Sequence, residues 1–96
     1  MTTTRTRTFF VESYVPALDD AKAAAWSTKL RAAIHELRSE GWKLEWLRSF
    51  ALADDETYVW MLTADDVDDV ALVTERARLS CDHVVEVVSD EPTSGR

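Results

Sequence analysis

The chain has 96 residues and a mass of 10.9 kDa, room for one core of ordinary size, so a single domain is expected over 1–96. Eighteen acidic against eleven basic residues give a formal charge of −7, a field that repels phosphate backbones and anionic headgroups; nucleic acid and membrane are not expected partners. The lone Cys81 excludes an intrachain disulfide, and no Cys or His cluster has the spacing of a structural metal site, so packing must hold the fold.

The first eight residues, rich in Thr with Arg5 and Arg7, lack the apolar centre of a signal peptide. No apolar run approaches the roughly 20 residues that span a bilayer. The expected location is therefore the cytoplasm. The folded core is expected over about 6–88, with residues 1–5 and the polar tail 89–96 as flexible ends.

Thr6 to Val15 is rich in aromatic, Val and Thr types and is closed by Pro16, which predicts a first strand. Asp19 and Asp20 then supply helix-capping acids, and Trp26, Leu30, Ala33, Ile34 and Leu37 recur at helical steps up to Gly41, predicting a helix of about five turns. His35 falls on its wet face. Trp42 to Leu52 alternates imperfectly and reads as a second strand, joined through the acidic turn at Ala53–Glu56 to a third at Thr57–Ala64. Asp65 or Asp66 caps a second helix with Val67, Val70, Ala71, Thr74 and Ala77 as its inner stripe, and HVVEVV forms a last strand.

The order βαββαβ predicts an α+β, ferredoxin-like domain: a four-stranded antiparallel sheet of order 4-1-3-2 with both helices on one face. The other face is left uncovered by this chain. In the first strand Phe9, Val11 and Ser13 suit the core, because Glu12 would lack a partner there. Turning the smaller or aliphatic set inward on the other strands as well leaves Phe10, Glu12, Tyr14, Trp46, Arg48, Phe50, Tyr58, Trp60 and Glu86 on the open face. Soluble monomers seldom expose so large an aromatic patch. A second copy is expected to cover it, either as a plain interface or around a ligand cavity.

The segments FFVESYVP, WLRSF and TADDVDDVALVTERARLSCDHVVEVV resemble a small ferredoxin-like domain family, formerly of unknown function, that includes a nickel-binding protein. The likeness spans most of 9–88 and rests on Val11–Glu12, on Trp46 and Ser49 three apart, and on Asp82, Val84, Glu86 and Val87. More broadly the chain is similar to the dimeric α+β-barrel superfamily, whose members include cofactor-poor monooxygenases, isomerases, cyclases and stress-related binding proteins. Where the resemblance implies a histidine and a cysteine in the metal site, this chain has Arg48 and Trp60. A guanidinium stays protonated and an indole offers only an N–H donor, so no metal ligand set is expected.

The function expected is small-molecule binding in an aromatic pocket inside a homodimer, extending to cofactor-independent isomerisation or cyclisation of an organic substrate in a biosynthetic pathway. Glu12 and Glu86 are the candidate acid and base, and Arg48 with Tyr14 the charge-stabilising groups. Phe10, Trp46, Phe50, Tyr58 and Trp60 are the expected walls. The same carboxylates could instead pair with Arg48 or Arg7, and Cys81 and His83, the latter placed toward the helices, read as structural. No cofactor is expected. The alternatives are a protein binding nickel or another divalent metal and a non-catalytic homodimeric interaction module.

Overall fold

The Asp19 side chain accepts a hydrogen bond from the Lys22 backbone N–H at 2.9 Å and starts a helix, α1, over Asp20–Ser39. The helix stops at Gly41, whose φ of +104° is the left-handed turn that glycine adopts without steric cost. The Gly41 N–H donates to Arg38 O and the Trp42 N–H to Leu37 O, the bond pair of a Schellman ending. The second helix, α2 over Val67–Ala77, starts on the Asp66 side chain and ends by the same bond pattern at Arg78, which takes a φ of 61° without being glycine.

These elements belong to a computed structural model that describes residues 6–88; the expectations for the ends 1–5 and 89–96 lie outside it. Four strands complete it: β1 Arg7–Tyr14, β2 Glu45–Leu52, β3 Thr57–Ala64 and β4 His83–Val87. They form one antiparallel sheet in the order β2-β3-β1-β4, with β1 and β3 central. The fold is α+β. Leu30, Ala33, Ile34 and Leu37 of α1 and Val70 and Val73 of α2 share one buried cluster with Phe9, Val11, Tyr58, Trp60 and Leu62 of the sheet, so both helices cover the same sheet face. Val67, expected in the inner stripe of α2, is exposed, and Val73 takes the buried place.

The register settles which residues share a face. Phe9, Val11 and Ser13 face the helices as expected, and each strand residue opposite them does the same: Leu62, Trp60 and Tyr58 on β3, Glu86 and Val84 on β4. Tyr58 and Trp60 are therefore core residues, fully buried, contrary to their expected place on the open face. The gap between a sheet and its helices is about 10 Å deep and must be filled without voids, and two large aromatics on a central strand fill it better than Val59 and Met61.

The second departure lies in β2. Trp46 pairs with Leu62 and Arg48 with Met61, so Leu47 is an extra residue between neighbouring rungs, a β-bulge. Trp46 thus sits on the helix side, stacked on Trp60 at 5.9 Å between ring centroids and with the Arg31 guanidinium of α1 5.8 Å from its ring centroid, while Arg48 and Phe50 sit on the open side. Glu86 is the third. It shares the helix-side phase of Phe9 and lies 3.9 Å from Arg7.

Candidate functional site

The face that the helices leave bare carries two principal rows running across the sheet. One row is Phe50, Val59, Glu12 and His83; the next is Arg48, Met61, Phe10 and Val85. Val59 is buried although it lies outside the helix-side cluster, sealed among its neighbours on β1 and β2. Phe50 is 45% exposed, Val85 44% and Leu52 46%, which makes this face the main apolar surface of the chain.

Of the expected wall residues, Phe10 and Phe50 are on this face and Trp46, Tyr58 and Trp60 are not. Of the expected polar groups, Glu12 and Arg48 are here. Glu86, expected as the partner carboxylate, is on the opposite face, so it cannot share a proton with Glu12. The residue that stands beside Glu12 on β4 is His83. Sequence reasoning turned His83 toward the helices because Val85 and Val87 in phase with it look like core. The signal that could have found it is the Glu12 phase itself, carried across to β4 through Val11 and Val84.

Tyr14 closes the end of the sheet. Its hydroxyl donates to Glu56 Oε1 at 3.1 Å, and Glu56 Oε2 accepts the Ala17 N–H at 2.6 Å, with the Val15 N–H on the Glu56 carbonyl. These bonds tie the β1–α1 connection to the β2–β3 turn. The hydrogen bond to the carboxylate, then its charge, raise the Tyr14 pKa, and the Ala17 N–H, then the Tyr14 hydroxyl, lower that of Glu56. Tyr14 is thus committed to a structural bond, and the phenol is made a weaker acid by it.

Other candidates carry less chemistry. Cys81 packs against the core, and burial followed by the Asp82 carboxylate raises its thiol pKa, the reverse of what a reactive thiolate needs. Among the described residues no three His, Cys, Asp or Glu side chains gather as a metal site would require, and the Glu12 and Glu86 carboxylates lie on opposite faces. The donors therefore do not fit the metal that the family resemblance implies. A concavity of about 540 Å³ beside Arg7, Asp65 and Glu86 is bounded by Thr6 and Val88, the two ends of the described segment. No helix among the described residues is long and apolar enough to cross a membrane.

What the open face can do follows from its makeup. A carboxylate and an imidazole stand side by side in a field of Phe, Met and Val, and a guanidinium stands two strands and two residues from the carboxylate. At strand spacings of about 4.8 Å and rises of about 3.3 Å per residue, that is roughly 12 Å between Glu12 and Arg48 backbones. No family model, no curated protein and no solved structure matches the chain.

Proposed function

We propose that the protein is a ferredoxin-like homodimer, closed sheet to sheet as in a dimeric α+β barrel, that binds a small organic molecule between the two open faces. The observation that carries the reading is the polar group Glu12, His83 and Arg48 set among Phe10, Phe50, Val59, Met61 and Val85 on the sheet face that the helices leave uncovered. Three strands of eight residues and one of five offer an area of roughly 19 by 26 Å, about 500 Å² per copy and about 1,000 Å² in all, the lower bound of a specific interface. A second copy is the occupant that matches this patch in size and apolarity at once.

The ligand suited to the enclosed space is flat and apolar with one anionic group. The ring lies over Phe10, Val59 and Met61, and Arg48 holds the anion. Naphthoate is a suitable probe. Titrated into the isotopically labelled protein, it is expected to move the amide signals of Phe10, Glu12, Arg48 and Met61 saturably. Saturable shifts confined to the helices, or none, would overturn the binding reading and leave a homodimeric interaction module.

A further inference from the structure

Resting on that reading, we infer that Glu12 and His83 form a proton-transfer pair, and that the substrate class is a small carbonyl or heteroaromatic compound with an acidified C–H bond. The two residues are direct cross-strand partners on β1 and β4 and face the same side of the sheet. Facing partners in an antiparallel pair hold their Cβ atoms about 4.5–5.5 Å apart, so one substrate atom can be reached by both side chains. Glu12 makes no ion pair or side-chain hydrogen bond among the described residues, and neither does His83. Most other charged side chains near the sheet ends are engaged: Glu56 with Tyr14 and Ala17, Asp82 with the Tyr14 N–H, Glu86 with Arg7. Glu12 and His83, the carboxylate and imidazole that stand opposite each other on the open face, are thus left without a structural duty, while the second carboxylate of that face, Glu45, lies at the far end of β2.

The pairing has a chemical consequence. The Glu12 carboxylate removes a proton from a carbon beside a carbonyl, and the C–H electron pair moves into the adjoining π system to give an enolate. Protonated His83 returns a proton at the conjugated carbon, so the double bond has shifted. The proton held by Glu12 then crosses to neutral His83, and both groups are restored. One proton leaves the substrate and one enters, and no electrons are lost or gained. Phe10, Val59 and Met61 beside Glu12 favour this chemistry because, once a second copy covers the face, they keep water away from the reacting carbon.

Nitrobenzisoxazole tests the base directly. Proton removal from its ring C–H expels the ring oxygen as a coloured cyanonitrophenolate, so the reaction needs a base and nothing else. The wild-type dimer is expected to accelerate it above the acetate background, with Glu12→Gln lowering the rate by a hundredfold or so, the order of a single general base. His83→Gln is expected to slow the conversion of cyclohex-3-enone to cyclohex-2-enone, in which the proton taken beside the carbonyl must be returned at the far end of the double bond, by about a hundredfold, and an unchanged rate in a folded, dimeric variant overturns the pair. His35→Gln, on the wet face of α1, serves as the control. Probe turnover that survives Glu12→Gln in a dimeric, folded variant overturns the pair while leaving the binding reading intact. Absence of any acceleration by a dimeric wild type does the same, whereas a wild type that stays monomeric removes the binding reading and the pair together.

Discussion

Trp46 lies parallel to Trp60 with 5.9 Å between ring centroids and 12° between planes, yet Arg48, two residues further along the same strand, points to the other side of the sheet. In a regular strand, residues two apart share a face. The bulge at Leu47 is what allows β2 to give Trp46 to the core and yet turn Arg48, Phe50 and Leu52 to the open face. It also bends an edge strand, which discourages pairing with a further chain along that edge.

Deletion of Leu47 should therefore be tolerated. It removes the extra residue and leaves Trp46 and Arg48 as adjacent residues on opposite faces, so the loss in urea denaturation is expected to stay within about 1–2 kcal/mol. Deletion of Ser49 should be far worse, because absorbing it without the bulge seats Arg48 on the helix side. Equal effects of the two deletions would contradict the bulge assignment.

Trp60 fills the centre of the helix-side core, and Trp60→Ala should cost about 3–5 kcal/mol. The same substitution at Phe50, nearly half exposed in the single chain, should cost the monomer fold little. Chemical denaturation of both variants at low protein concentration checks the contrast.

The Tyr58 hydroxyl and the Trp60 indole N–H are buried with no hydrogen-bond partner among the described residues. Tyr58→Phe deletes one unpaired polar atom while keeping the ring packed against Trp26 at 5.6 Å. It should be neutral or stabilising by up to about 1 kcal/mol. A loss of more than that would show that the hydroxyl has a partner.

Two carboxyls shift in opposite directions and predict opposite pH behaviour. Glu56 is held below its ordinary value of 4.5 by the Ala17 N–H and the Tyr14 hydroxyl, so its contribution is present above that value and is lost as pH falls through the lowered one. Asp69, at the start of α2, is held above its ordinary value of 3.8, chiefly by burial, and its ionised form therefore weighs against folding until pH falls through the raised value. Glu56→Gln should destabilise at neutral pH and converge with wild type in acid. Asp69→Asn should be neutral or stabilising at neutral pH, with its advantage shrinking in acid. Thermal melts of both variants between neutral pH and pH 3 read the two trends.

The strand and helix limits were largely legible because caps and turns mark them locally: Asp19 and Gly41 bracket α1, and Pro16 closes β1. The β1 phase was legible because a glutamate cannot be buried cheaply. The other strands carried no reliable marker: Glu86 on the edge strand β4 takes the helix-side phase and still reaches water. β3 offers apolar residues at both phases, β4 reads almost the same forwards and backwards around Glu86, and β2 changes phase at a bulge that the residue types do not announce. Phe10 and Glu12 of the candidate site followed from the one strand with a marked phase, and Arg48 and Phe50 from the part of β2 beyond the bulge. His83 and Met61, which replace the tryptophans and Tyr58 on the open face, became visible only through the register with β1.

The central claim is that a second copy covers the open sheet face, and sedimentation equilibrium tests it most directly when wild type is compared with Phe50→Glu. Burying Phe50 between two sheets is worth roughly 1.5–3 kcal/mol per side chain, and a glutamate there would repel its own image in the partner. The wild type is expected at twice the 10.9 kDa chain mass, and Phe50→Glu at the chain mass with an unchanged circular dichroism spectrum. A wild type that remains at 10.9 kDa across the accessible concentration range would contradict the account, as would a dimer that Phe50→Glu leaves undisturbed.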